Sequence, residues 1–126
     1  MKKLLFAAGM LLGFIGFALL WQKGVQTQAE EMASQCKKAA HALINEDGER
    51  ALNAIEECEA RFHKVKSSWT VMMDHEIVDE MEESLVKAKS FCTMGDYTRC
   101  YSEILSLRHR LYEIPKRYEI TAGNIL

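Results

Sequence analysis

The chain reads as an all-α protein: one N-terminal transmembrane helix followed by a small bundle of two antiparallel helical hairpins, tetratricopeptide-like or four-helix. Three observations predict this class. Leu4 to Trp21 is a run of eighteen apolar or small residues without a charge. Beyond it, apolar residues recur at alternating spacings of three and four, the period of an amphipathic helix. With one proline and seven glycines, three of them inside the first run, the chain is too poor in turn formers for a loop-rich or all-β design.

The first run has the length of a membrane span. At 1.5 Å per residue, eighteen helical residues cover about 27 Å, close to the hydrocarbon thickness of a bilayer. A helix also pairs every backbone polar group internally, as lipid requires. Lys2, Lys3 and the amino terminus outweigh the single Lys23 behind the run. This charge bias keeps the N-terminus in the cytoplasm and places the remainder outside it. The rival reading is a cleaved signal peptide, with Thr27-Gln28-Ala29 before Glu30 as the cleavage site. That site lies far from Trp21 and the apolar run is long, so an uncleaved single-pass anchor is expected. Gly9, Gly13 and Gly16 fall near one face of it and read as small residues that a membrane helix tolerates.

Residues 1–24 are thus assigned to a cytoplasmic stub and anchor, and 25–126 to one extracytoplasmic helical domain. About 105 residues suffice for a single core. Beyond Trp21 the chain carries 14 basic and 18 acidic side chains. A mildly acidic balance gives no basis for binding nucleic acid or for a polybasic grip on anionic lipid.

Four apolar stripes mark four helices. The first is Val25, Ala29, Met32, Cys36, Ala39, Ala40 and Leu43, closed by the turn residues Asn45-Glu46-Asp47-Gly48. The second is Ala51, Ile55, Cys58, Phe62, Val65 and Trp69; the third is Ile77/Val78, Met81, Leu85, Ala88 and Cys92. No glycine or proline separates these two, which leaves one long bent helix as the alternative; a break is expected between about Ser67 and Asp74, where the stripe loses phase. Asp74, Glu76, Asp79 and Glu80 then crowd a helix start, where the positive end of the dipole favours them. After Met94-Gly95-Asp96 the fourth stripe runs Tyr97, Cys100, Ile104, Leu107, Leu111 and Ile114, and Pro115 is expected to end it. A tail of about residues 115–126 is expected to dock on the bundle through Ile120, Ile125 and Leu126.

Shifting the chain by 49 residues superposes Asp47 on Asp96, Ala51 on Cys100, Ile55 on Ile104 and Phe62 on Leu111, and upstream Met32 on Met81 and Ala39 on Ala88. Each half is then a helix, a tight Asp-containing turn and an antiparallel helix. In such a hairpin, residues equally far from the turn lie at one height. Cys36 and Cys58 flank Asp47 symmetrically, and Cys92 and Cys100 flank Asp96. The arithmetic favours two disulfides with those pairings, which an exported domain permits. Four buried free thiols are the alternative.

The segment Trp69-Thr70-Val71-Met72-Met73-Asp74-His75-Glu76-Ile77-Val78-Asp79 and the terminus Ile114-Pro115 to Asn124-Ile125-Leu126, with the short anchor and the Asn45-Glu46-Asp47 turn, carry a resemblance. Over nearly its whole length the chain resembles a family of small membrane-anchored proteins of Gram-positive, largely clostridial, bacteria, catalogued as domain of unknown function 4363. The family has no assigned activity, so the resemblance implies fold and location but no reaction. Its members often carry a bulky residue where Gly48 stands, and packing at that turn is expected to differ. The cysteines are no part of the family pattern, which leaves the disulfides resting on hairpin geometry.

Candidate chemistry is sparse. Asp74-His75-Glu76, with Trp69 before it and Asp79 after it, is the densest polar element. His75 and Asp79 are i,i+4 neighbours able to share a divalent ion, but two ligands do not make a zinc site. Six carboxylates between Asp74 and Glu83 lack a ligand-bearing loop for calcium. The expected role of the element is therefore structural, a capped helix start, with no metal and no cofactor. His41, His63 and His109 lie on three separate helices with no nucleophile in an activating pattern. Arg108, His109, Arg110, Lys116 and Arg117 form a basic end expected to pair with the acidic run. The expectation is a non-enzymatic interaction or accessory protein, whose partner is another membrane protein beside the bilayer. A ligand- or cation-sensing ectodomain around Trp69, His75 and Asp79 is the second reading, and an envelope hydrolase the third.

Overall fold

The computed structural model describes residues 1–117, and these form four helices: α1 (Lys2–Ile44), α2 (Gly48–Met72), α3 (His75–Thr93) and α4 (Tyr97–Arg117). Each apolar stripe becomes one buried face. Val25, Ala29, Met32, Cys36, Ala39 and Leu43 of α1 meet Ile55, Cys58, Phe62 and Trp69 of α2, Met81 and Leu85 of α3, and Ile104, Leu107 and Leu111 of α4 in one core. Each helix packs on the next in sequence, and α1 closes on α4. The arrangement is thus an up-down-up-down four-helix bundle, not an open stack of hairpins.

The anchor run and the first bundle helix are one element. α1 spans 43 residues, about 65 Å, and passes Gly24–Val25 without a break. What changes there is packing. An 18-residue window of its apolar N-terminal part is entirely unburied, whereas burial becomes regular from Val25 onward. Half-buried Trp21 packs on the lower edge of the core.

The two hairpin turns have the same geometry. After α1, Glu46 N–H donates to Leu43 O at 3.1 Å and Asp47 N–H to Ala42 O at 2.9 Å. After α3, Gly95 N–H donates to Cys92 O at 3.1 Å and Asp96 N–H to Phe91 O at 2.9 Å. Both are Schellman motifs, in which a left-handed residue lets the chain satisfy the last helical carbonyls. The next helices are capped alike: Asp47 Oδ1 accepts from Arg50 N–H at 3.1 Å, and Asp96 Oδ1 from Arg99 N–H at 3.3 Å. The 49-residue repeat is therefore real at the level of backbone hydrogen bonds. At Gly48 a Cβ would overlap the Tyr97 hydroxyl and come within 2.9 Å of its Cζ. Here the tyrosine fills the space that a bulky side chain would need.

The break between α2 and α3 falls at Met73–Asp74, the far end of the expected window. Thr70 Oγ1 donates back to Lys66 O at 2.7 Å, and buried Trp69 holds the last turns in helical phase. Met73 is extended (φ −119°, ψ 165°), and the Asp74 carbonyl accepts from Ile77 N–H at 3.1 Å. Pro115 does not end α4, which runs through it to Arg117. A proline costs the turn one hydrogen bond and crowds the carbonyl four residues back, yet buried Leu111 and Ile114 keep that turn packed. The expected docking of the tail from Tyr118 onward lies outside the described residues.

Candidate functional site

The Trp69–Asp79 element divides between the inside and the outside of the bundle. Trp69 is fully buried, and its Nε1–H donates to Gln28 Oε1 on α1 at 2.9 Å. A buried indole needs such a partner, and Gln28 places α2 against α1 at a fixed height. Asp74, His75, Glu76 and Asp79 are exposed at the start of α3. Trp69 thus lies inside the bundle, whereas His75 and Asp79 lie on its surface. Among the described residues no three His, Cys, Asp or Glu side chains gather as metal ligands. His41, His63 and His109 stay apart on α1, α2 and α4. His41 Nδ1 lies 3.3 Å from Asn45 Nδ2, and His109 Nε2 lies 3.1 Å from Glu113 Oε1.

The cysteines do come together in the expected pairs. All four are buried free thiols. A hydrogen bond with Cys58, followed by burial, holds the Cys36 thiol far above the ordinary cysteine range. Burial, then the charge of Cys92, pushes Cys100 up to about 12, and burial also raises Cys92. Backbone carbonyls receive three of these thiols: Cys58 donates to Met32 O at 3.8 Å, Cys92 to Gly48 O at 3.6 Å and Cys100 to Ala88 O at 3.2 Å. With their pKa values raised, the Cys36, Cys92 and Cys100 thiols are held protonated and poorly nucleophilic.

Ion pairs tie the helices across their polar edges. Arg61 reaches Glu31 at 2.9 Å, Lys89 reaches Glu59 at 3.3 Å, and Lys66 pairs with Glu82; within α2, Arg61 also lies 3.5 Å from Glu57. Arg110 approaches Glu80 at 3.7 Å, so the basic end meets the acidic run as the sequence implied. All are partly exposed and worth about 0–1 kcal/mol each. They set register more than stability.

Sequence reasoning missed one surface feature. Ser34, Gln35, Lys37, Lys38 and His41 of α1 and Arg50 and Asn53 of α2 line a shallow open groove of about 630 Å³. Its signal was the Lys37-Lys38-x-x-His41 spacing, which puts Lys37, Lys38 and His41 on one flank of a helix. Lys37, Lys38 and Arg50 make the groove a cationic surface.

Neither the curated proteins nor the solved structures contain a match to this chain. A family model does match, over residues 19–125, from the end of the apolar run to the penultimate residue. It spans all of α2, α3 and α4 and the part of α1 that enters the bundle. The chain belongs to the family described as domain of unknown function DUF4363.

Proposed function

We propose that this protein is a non-enzymatic accessory module, anchored in the cell membrane by α1 with its bundle outside the cytoplasm, that engages another membrane protein. The observation that carries the reading is the continuity of α1. An uncharged, solvent-facing apolar helix long enough to cross a bilayer feeds without a joint into the core-forming face of the bundle. A rigid coupling of this kind holds a domain at a fixed height above the lipid. It also speaks against cleavage after Ala29. That cut would remove Val25 and Ala29 from the core, 2% and 1% exposed, together with Gln28, the partner of Trp69. The two dithiols belong to the same reading. Outside the cytoplasm an envelope thiol oxidase can take two electrons and two protons from each pair, forming Cys36–Cys58 and Cys92–Cys100.

The test is topological and biochemical. Protease added to intact protoplasts should degrade the bundle and leave a membrane-embedded stub. Affinity purification from detergent-solubilised membranes should return a stoichiometric integral-membrane partner. A soluble mature form beginning at Glu30, or repeated purification without any partner, overturns the proposal.

A further inference from the structure

Val71 and Met72 at the end of α2 are 81% and 47% exposed, although the other apolar residues of that helix, from Ala51 to Trp69, are largely buried. Their height relative to the anchor follows from side-chain pairs. Gln28 faces Trp69, Glu31 faces Arg61, and Cys36 faces Cys58. Continuing this antiparallel register to the end of α2 sets Met72 opposite the stretch from Leu20 to Val25, within about one helical turn of Trp21. Trp21 closes the apolar run, where an amphipathic indole belongs at a membrane–water boundary. Among the described residues, exposed Ile44 and Met94 stand at the opposite turns, roughly 35 Å away along α1. The end of α2 is therefore the apolar tip that faces the bilayer.

We infer that Val71 and Met72 form a second membrane contact, entering the headgroup–acyl boundary of the leaflet from which α1 emerges. This inference rests on the membrane-anchor reading above. From Ser67 to Met73 the tip carries no charge. Around it stand Lys23 of α1, Lys66 of α2 paired with Glu82, Asp74, His75 and Glu76 at the start of α3, and Lys116 of α4. Among the described side chains, charges of both signs surround it without a cationic surplus, so the contact is apolar and shallow, indifferent to lipid charge. Two attachment points, the helix and the tip, restrict the tilt of the bundle and fix which side faces a neighbour in the membrane.

The test uses the full chain in phosphatidylcholine vesicles, with nitroxides on Val71→Cys, Met72→Cys, Met94→Cys and Leu12→Cys in four separate proteins. The native cysteines are buried and stay as they are. Power saturation compares collisions with oxygen, which enters lipid, and with a nickel chelate, which does not. The oxygen-to-nickel ratio at 71 and 72 should exceed that at 94 by at least about threefold, with residue 12 higher still. It should change less than twofold when a third of the lipid is phosphatidylglycerol. Ratios at 71 and 72 equal to that at 94, with residue 12 still in lipid, overturn the second contact alone. A high ratio only in the anionic vesicles overturns its apolar character. Protection from both reagents at 71 and 72 identifies a protein contact and overturns the inference. An aqueous signature at residue 12 overturns the anchor reading as well.

Discussion

The turn between α1 and α2 and the turn between α3 and α4 share their hydrogen bonds, their Asp caps and their left-handed residue, but they fill the left-handed position differently. Gly95 occupies it at φ 79° in the second turn, and Glu46 at φ 57° in the first. Glycine bears that conformation freely, whereas a side chain there costs energy. The second difference lies two residues on, where Gly48 and Tyr97 stand at equivalent points of the repeat and pack against each other. A third lies in the core, where Phe62 of the first hairpin corresponds to Leu111 of the second. The repeat thus fixes backbone and register, and side chains are free to diverge where one half compensates for the other.

The core comparison should give the largest effects. Phe62→Ala should cost about 3–5 kcal/mol and Leu111→Ala about 2–5 kcal/mol in denaturant unfolding of the reduced chain. Both side chains are fully buried, 0% and 1% exposed. A loss under 1 kcal/mol at either site would mean that its half is loosely packed and that the two hairpins are not equivalent.

Oxidation separates the hairpins next. Closing Cys36 to Cys58 should stabilise by about 3 kcal/mol, and closing Cys92 to Cys100, across a shorter loop, by somewhat less. Peptide mapping of unreduced protein from the envelope should find these two links, and a Cys36–Cys92 link would refute the hairpin pairing. The reduced chain adds a pH signature. Cys100 has its pKa raised from an ordinary 9.0 to about 12, so the unfolded state loses this proton first as pH rises. Stability is then intact below pH 9 and falls as pH climbs towards 12; disulfide formation should abolish the contribution of these thiols to that fall.

Gly48→Ala should cost about 1–3 kcal/mol by overpacking against Tyr97. Tyr97→Phe removes the hydroxyl that the new Cβ meets, and should recover part of the loss in a double-mutant cycle. Full additivity of the two changes would show that the tyrosine is not what excludes a side chain at this turn.

The four apolar stripes were legible because burial on a helix has a period, and every stripe from Val25 to Ile114 is at least partly inside. The cysteine pairs were legible for the same reason, since two stripes folded about one turn have a fixed register. Closure of α1 on α4 was not legible, because an open hairpin stack and a closed bundle share the same stripes. Nor was the helix through Pro115, where packing of Leu111 and Ile114 overrides a local preference. The Gln28 partner of Trp69 and the groove beside Lys37, Lys38 and Arg50 were hidden because polar residues on an outer face follow no period. A site whose parts come from α1 and α2 becomes visible only when the helices are side by side.

The smallest expected effect is the sharpest test of how alike the two turns are. Glu46→Gly relieves a left-handed side chain worth about 1–2 kcal/mol. It also gives the unfolded chain the extra freedom of a glycine, worth about 0.4–1 kcal/mol. The net gain should be about 0.5–1 kcal/mol, which for a domain of this size raises Tm by roughly 2–6 °C. Gly95→Glu is the reciprocal change and imposes on the second turn the strain that the first already carries. A cost there equal to the gain at Glu46 means that the motifs are energetically interchangeable. If Gly95→Glu costs far more than Glu46→Gly gains, the first turn accommodates its glutamate through its surroundings. The two hairpins would then share a backbone without sharing its energetics.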